Sequence, residues 1–120
     1  MFDHISLSVA DEKRSKAFYA KALAPLGFKI VSEYEGGFGI GAEDGSTIWV
    51  GRGAPQQPIA HIALRAPGRK QMQAFHREAL GAGGKDNGAP GLRENYSPTY
   101  YAAFVLDPDG NNVEAVCHSA

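Results

Sequence analysis

Apolar and polar residues alternate with a period of two along much of this chain, as is typical of strands with one buried face. The alternation is clearest between Phe2 and Val9, where Ile5 and Leu7 share one face with Val9. Comparable runs, bounded by turn signals such as Asp44-Gly45, predict further strands over residues 28–34, 38–41, 47–51, 59–66, 100–106 and 112–117.

Two other segments carry apolar residues at helical spacing instead. The first follows Asp11, a residue type that caps helices, and is predicted to run to about Leu23. The second follows Pro67-Gly68 and is predicted to run to about Leu80. Residues 86–99 are rich in Gly, Pro and Asn and predict a long loop, which in a compact domain often has a functional role.

The first half of the chain occurs again in the second half. Aligning residues 4–27 with 61–84 gives 9 identities in 24 positions, including His4 with His61. The match resumes at an offset of 65, where Asp44-Gly45 aligns with Asp109-Gly110 and Trp49 with Glu114. An internal repeat of this length indicates two copies of one structural unit.

The repeat predicts the architecture. We expect a first βαβββ module over residues 1–52, a linker over 53–57 and a second module over 58–120, together forming one compact domain. The fold class is α+β, with the helices covering one face of the sheet. The helix-free face of the sheet is then the natural place for a site.

Composition narrows the classes of function. The net charge is −1 without a basic run, so nucleic-acid binding is not expected, and no apolar run is long enough for a membrane span. Residues 1–4 lack the features of a signal peptide, and Cys117 is the one cysteine, so no intrachain disulfide forms. We therefore expect a cytoplasmic protein.

Three residues on the predicted helix-free face form the candidate site. His4 and His61 occupy equivalent positions of the repeat, and Glu114 lies on the last predicted strand, after the turn Asp107-Pro108-Asp109-Gly110. Each residue taken singly is more often a satisfied polar side chain. Two imidazoles and one carboxylate together are typical of a facial metal site, which suits Fe, Zn, Mn, Ni or Co and does not choose among them.

At these motifs the sequence resembles the vicinal oxygen chelate superfamily, which includes glyoxalase I, bleomycin resistance proteins, extradiol dioxygenases and fosfomycin resistance proteins. The matching segments are residues 4–9, 17–19, 61–64 and 107–114. The resemblance covers nearly the whole chain. It implies paired βαβββ modules whose strands form a cup-shaped mixed sheet around a divalent metal, with the helices on the outer face. It also implies metal ligands at His4, His61 and Glu114, with Glu114 as the catalytic residue.

The resemblance implies, as the leading hypothesis, a glyoxalase-like lyase or isomerase acting on a small oxygen-chelating substrate. Two alternatives stay open: a metal-free protein that binds a drug or metabolite, as in the bleomycin resistance group, and an Fe(II) extradiol-type dioxygenase. Trp49 occupies the position where glyoxalase I places a fourth, carboxylate or amide, ligand. Its indole offers only an N–H donor, so a three-ligand site is expected.

Further residues are candidates for binding the substrate. Trp49 is expected to line the cavity floor, Arg65 shares the face of His61, and Arg93 could hold an anionic group. Tyr96 and Tyr100 could line the pocket from the long loop. A homodimer is expected from the resemblance, and the sequence leaves open whether the two modules pair within one chain or between two.

Overall fold

The computed structural model describes residues 2–118 and confirms the predicted α+β class. Met1 and residues 119–120, at the outer ends of the predicted modules, lie outside the described residues. The first half of the chain folds as a strand, a helix, a short 3₁₀ helix and three further strands. These are β1 (His4–Val9), α1 (Glu12–Ala22), the 3₁₀ helix (Ala24–Leu26), β2 (Lys29–Tyr34), β3 (Gly37–Gly41) and β4 (Thr47–Arg52).

The second half repeats this order, with two short strands in its long loop. Its elements are β5 (His61–Arg65), α2 (Arg69–Gly81), β6 (Lys85–Asp86), β7 (Gly91–Leu92), β8 (Tyr101–Leu106) and β9 (Asn112–Cys117). The division into modules at residues 53–57 stays a prediction. Neither helix in this part of the chain is long and apolar enough to cross a membrane.

Capping side chains and strand pairing set where the elements begin. The Asp11 side chain accepts hydrogen bonds from the backbone N–H groups of Lys13 and Arg14, both at 3.1 Å, and so fixes the start of α1. β5 begins at His61 and not at the predicted Ile59, because its partner β9 begins at Asn112, directly opposite His61.

The strands form two separate sheets, one from each half of the chain. The first has the order β1-β4-β3-β2 and the second β5-β9-β8-β6, with β7 also paired to β8. β1 is parallel to β4 and β5 is parallel to β9, and the other pairs are antiparallel. Within residues 2–118, β1 and β5 are therefore both end strands, each paired along one edge only.

The hydrophobic core lies between the sheets and the two helices, which pack on each other. Each sheet buries one face against this helical layer, and no helix covers the opposite face in the described part of the chain. The core residues that are completely buried include Val9, Phe18, Ala22, Ile40, Ile48, Val50, Met72, Phe75, Val105, Val113 and Ala115.

A buried carboxylate joins the two halves. Asp107, only 3% exposed, accepts a hydrogen bond from the Tyr19 hydroxyl of α1 at 2.6 Å. It also accepts from the backbone N–H groups of Asp109 and Asn111 at 2.9 Å, and from the Asn111 side chain at 3.0 Å. Burial and the adjacent Asp107 charge raise the pKa of the Tyr19 phenol well above its usual value, so the phenol remains a donor.

The same turn makes a second link to the first half. Asp109 accepts hydrogen bonds from the Ala10 backbone N–H at 3.3 Å and from the Arg14 guanidinium at 3.4 Å. The turn before β9 therefore docks on the start of α1, where the sequence pattern alone indicated a local turn. We call the bonds of Asp107 and Asp109 to the first half the interhalf clasp.

Replacing Tyr19 with Phe should lower the free energy of unfolding by about 1–3 kcal/mol, because buried Asp107 then lacks one donor. Urea unfolding followed by circular dichroism measures the change. Tyr96→Phe is the matched control: Tyr96 is 61% exposed, so its variant should stay within about 0.5 kcal/mol of wild type. Equal stability of the Tyr19 variant and the wild type would contradict a stabilising clasp.

Candidate functional site

The parallel pairing of β5 with β9 brings a histidine and a glutamate into contact. In this register His61 lies opposite Asn112 and Ala63 lies opposite Glu114, so the two side chains stand on neighbouring strands of one face. His61 Nε2 is 2.8 Å from Glu114 Oε1. The histidine side chain is 56% exposed and that of the glutamate only 2%, so the pair presents an open imidazole over a buried carboxylate.

A tyrosine from the end of the long loop occupies the other carboxylate oxygen. The Tyr100 hydroxyl donates a short hydrogen bond to Glu114 Oε2. This bond, with partial burial and the carboxylate charge, raises the pKa of Tyr100 to about 12. Both oxygens of Glu114 are therefore engaged, which satisfies a carboxylate that would otherwise be costly to bury.

Aromatic rings surround this group. Phe104 of β8 lies opposite Glu114 and its ring is 6.4 Å from that of His61. Tyr96 packs edge-on against Tyr100 with the ring centres 5.0 Å apart, and the His118 ring also lies edge-on to Tyr100, at 5.3 Å. The long loop thus covers the face of the second sheet that carries the carboxylate.

The arginine of this loop is held within it. Arg93 donates to the Ala89 carbonyl at 2.8 Å, and its guanidinium lies 5.4 Å from the centre of the Phe104 ring. It is therefore close to the candidate site, with part of its donor capacity already used. Its role in holding an anionic group stays a prediction.

The remaining predicted ligand lies on the first sheet. His4 is on β1, and its Nδ1 is 2.6 Å from the carboxylate of Asp3. Because β1 and β5 belong to separate sheets, the fold brings His61 to Glu114 without His4. Among residues 2–118 no group of three potential metal-ligating side chains occurs. One chain thus supplies a two-donor half of the predicted site.

A separate cavity lies away from these ionisable groups. It has a volume of about 600 Å³, lies between the two halves of the chain, and is lined by Arg65, Cys117 and His118 together with Phe28 and Ala42. His61 and Glu114 do not line it. Arg65, predicted to bind substrate beside His61, therefore faces this interhalf cavity at the far end of β5. We place the candidate chemistry at the glutamate because that is where ionisable groups converge.

Trp49, the repeat equivalent of Glu114, lines a different cavity of about 390 Å³ on the helix-free face of the first sheet. Tyr34 at the end of β2 lines the same cavity, with its ring centre 6.4 Å from that of Trp49. Tyr34 was not predicted. Three alternating glycines at positions 37, 39 and 41, which leave room above β3, were the available signal.

The donors of the second sheet fit one side of a divalent metal centre. Bonds of imidazole nitrogen and carboxylate oxygen to such a metal are about 2.0–2.2 Å long, so adjacent donors lie about 3 Å apart or more. The observed 2.8 Å between His61 Nε2 and Glu114 Oε1 needs only a small side-chain rotation to reach that spacing.

Comparison with known proteins identifies the fold and its relatives. The family model described as the Glyoxalase/Bleomycin resistance protein/Dioxygenase superfamily matches residues 1–115. No protein of curated function matches the chain.

Solved structures agree with this match. A glyoxalase/bleomycin resistance protein from Albidiferax ferrireducens is 28% identical with a TM-score of 0.82, over 99% of both chains. A glyoxalase/bleomycin resistance protein/dioxygenase family enzyme from Burkholderia phytofirmans is 15% identical with a TM-score of 0.79, over 98% of both chains. A glyoxalase-related enzyme from Fulvimarina pelagi is 16% identical, with a TM-score of 0.75, and covers 98% of this chain and 87% of its own. The last two show likeness of fold alone.

The bond from Tyr100 to Glu114 predicts a difference in tyrosine ionisation. In the metal-free protein the phenol keeps its proton until about pH 12. In Glu114→Gln the charge is gone, so the pKa of Tyr100 should fall toward the ordinary value of about 10. At about pH 11 the variant should show close to one additional tyrosinate by absorbance at about 295 nm. Identical absorbance would mean that the phenol does not bond the carboxylate in solution.

Proposed function

The chain belongs to the glyoxalase/bleomycin resistance protein/dioxygenase superfamily, and on that premise we propose that it is a metal-dependent lyase or isomerase whose site is shared between two copies of the chain. In this proposal His61 and Glu114 of one copy hold the metal together with His4 of the second copy. The observation that carries it is the 2.8 Å contact between His61 and Glu114 on a sheet that lacks a third donor within residues 2–118.

The end strands support a second copy as the source of that donor. β1 carries His4 and β5 carries His61, and each is hydrogen-bonded to a neighbouring strand along one edge only in the part of the chain described here. Unpaired strand edges readily accept another chain. Pairing β1 of one copy with β5 of the other would join the two sheets across the subunits and bring His4 beside His61. Closed two-fold symmetry then makes two equal sites in a homodimer.

The donor set fits Zn, Ni, Mn, Co or Fe. A metal bound there supplies a positive charge that can polarise a carbonyl or stabilise an enediolate-like anion. Its open positions suit a small substrate with two adjacent oxygen atoms, which is the substrate class we propose.

Glu114 is the group that we propose to move a proton. Its burial beside Phe104, Tyr100 and His61 keeps the carboxylate out of contact with bulk water, and a positioned carboxylate can act as a general base. Tyr100 orients Oε2 through its hydrogen bond, while Oε1 faces His61. Because both oxygens have partners, Glu114 would serve as ligand and base in turn: Oε1 would leave the metal, take the substrate proton and return it to a neighbouring carbon. Arg93 and Tyr96, at the rim, would contact the outer part of the substrate.

A metal-free binding protein is the second candidate, because Trp49 puts an aromatic ring where a further ligand would stand. The two candidates differ in their response to a chelator, which abolishes ligand binding in the first and leaves it unchanged in the second. A dioxygenase, the remaining alternative, would require Fe(II) and would consume oxygen with a catechol.

Removing any proposed ligand should remove the metal. His4→Ala, His61→Ala and Glu114→Gln should each lower bound divalent metal at least tenfold, because the loss of one of three donors exposes the ion to water. Metal content per chain, measured by elemental analysis after dialysis against equimolar metals, gives the result. His76→Ala is the control, since His76 bonds Asp86 on the opposite side of the second sheet. Unchanged metal content in His4→Ala and His61→Ala would end the proposal.

Mixing variants tests whether the site spans two chains. Neither His4→Ala nor Glu114→Gln has an intact site alone, but a mixed dimer holds one intact site and one site with both lesions. After unfolding and refolding of an equal mixture, about a quarter of the wild-type metal content should return, because half of the dimers are mixed. No recovery would contradict a site shared between two chains.

A further inference from the structure

The aromatic residue of one equivalent cross-strand pair is on opposite strands in the two halves. In the first sheet Gly39 of β3 lies opposite Trp49 of β4, and in the second sheet Phe104 of β8 lies opposite Glu114 of β9. At the repeat offset of 65, glycine corresponds to phenylalanine and tryptophan corresponds to glutamate. Each sheet therefore has one aromatic ring in this cross-strand pair. In the first sheet the ring is on β4, and in the second sheet it is on β8, the strand that corresponds to β3.

Gly39 is what allows the ring of Trp49 to lie there. A Cβ atom at position 39 would be 2.6 Å from the indole ring, which is closer than two non-bonded carbon atoms can approach. Phe38 and Ile40, the neighbours of Gly39, are buried in the core on the opposite face. The indole thus lies against the bare backbone of β3, which leaves the other side of the ring toward the cavity.

Tyr34 extends this surface. A Cβ atom at Gly37 would be 2.5 Å from the Tyr34 hydroxyl, so this side chain also lies over a glycine of β3. The two rings are 6.4 Å apart at 48° and Tyr34 is 51% exposed. We call the surface formed by Tyr34 and Trp49 the aromatic platform.

Polar groups from three segments border the platform. The cavity of about 390 Å³ above it is also lined by Ser6 and Ser8 of β1, by Arg52 at the end of β4 and by Gln56 after it. A hydrophobic surface with a few polar groups at its rim is typical of a small-molecule site. Ser6 lies opposite Trp49, and His4 is two residues away on the same face of β1, at a spacing of roughly 7 Å along the strand.

We infer that the aromatic platform binds a flat, unsaturated ring of the substrate, so that the molecule turned over is an aryl-bearing compound with two adjacent oxygens. This inference rests on the proposed function, which places the oxygens at His4, His61 and Glu114. A flat ring contacts the exposed side of the indole over its whole surface, whereas a saturated ring is thicker and contacts it at fewer atoms.

A pair of α-hydroxy acids tests the ring preference. Mandelate and its saturated analogue cyclohexylhydroxyacetate carry the same α-hydroxycarboxylate group, whose hydroxyl and one carboxylate oxygen can chelate a metal. They differ only in the ring. Calorimetric titration of the metal-loaded protein should show mandelate binding roughly three- to tenfold more tightly. Because Trp49 is the one tryptophan, mandelate should also change the tryptophan emission, which reports contact at the platform.

Variants of the platform should remove the preference. In Trp49→Leu and Tyr34→Leu the two acids should bind within about twofold of each other, whereas the matched control Phe2→Leu, outside the platform, should keep the wild-type ratio. Tyr34→Leu settles the question if Trp49→Leu does not fold, since Tyr34 is on the surface. The inference would be overturned if wild type bound the two acids with equal affinity, or if Tyr34→Leu kept the wild-type ratio of the two affinities. It would also be overturned if mandelate did not bind up to roughly 10 mM.

Repeating the titrations with a chelator separates this inference from the proposed function. If both acids bind equally and the chelator abolishes binding, the platform inference is wrong and the metal site stands. If mandelate keeps its advantage and its effect on Trp49 emission in the presence of chelator, the platform is right and the metal-dependent function is wrong.

Discussion

The burial of Glu114 is the constraint on which the rest of the site depends. A carboxylate that is 2% exposed is costly to bury without hydrogen-bond partners, and the fold places His61 at one oxygen and Tyr100 at the other. His61 reaches it because β5 is parallel to β9 in a register that sets Ala63 opposite Glu114. Tyr100 reaches it because the long loop returns over the same face before β8. The register of β5 with β9 and the path of the long loop therefore both determine the contacts of Glu114.

The two repeated halves form sheets with similar strand arrangements but different side chains at equivalent positions. The second sheet keeps a carboxylate on its last strand and an aromatic ring on the strand beside it, and the first sheet has the reverse arrangement. The interhalf clasp is likewise one-sided. Asp107 corresponds to Ala42 in the first half, so among residues 2–118 the turn before β9 joins a helix of the other half through a buried carboxylate and its first-half equivalent does not.

The sequence predicted the elements well because their signals are local. Asp11 marked the start of α1, and the turn before Asn112 together with the alternation after it located β9 at both ends. The repeat related His4 to His61, and the prediction that β5 and β9 carry a histidine and a glutamate on one face agrees with their contact. The fold class followed from the same patterns, and the family was indicated by the resemblance of residues 4–9, 17–19, 61–64 and 107–114 to known members.

What the sequence could not predict depends on contacts between distant residues. Asp107 was interpreted as a turn residue because nothing in the pattern links it to Tyr19, which is 88 positions away. Tyr100 was expected only to line a pocket, since no periodicity fixes where a loop side chain points. The separation of the two sheets is a matter of packing between modules, which the sequence of one module does not encode. The glycines beneath Tyr34 could have been recognised, because their alternation in β3 leaves a row without side chains.

The measurement that tests the central claim most directly is the dependence of the monomer–dimer equilibrium on metal, followed by analytical ultracentrifugation. A site with ligands from two chains binds metal only in the dimer, so metal must stabilise that dimer. We predict that a saturating divalent metal tightens dimerisation of the wild type at least tenfold and has no such effect on Glu114→Gln. Metal that binds the monomer and the dimer with equal affinity would contradict the account.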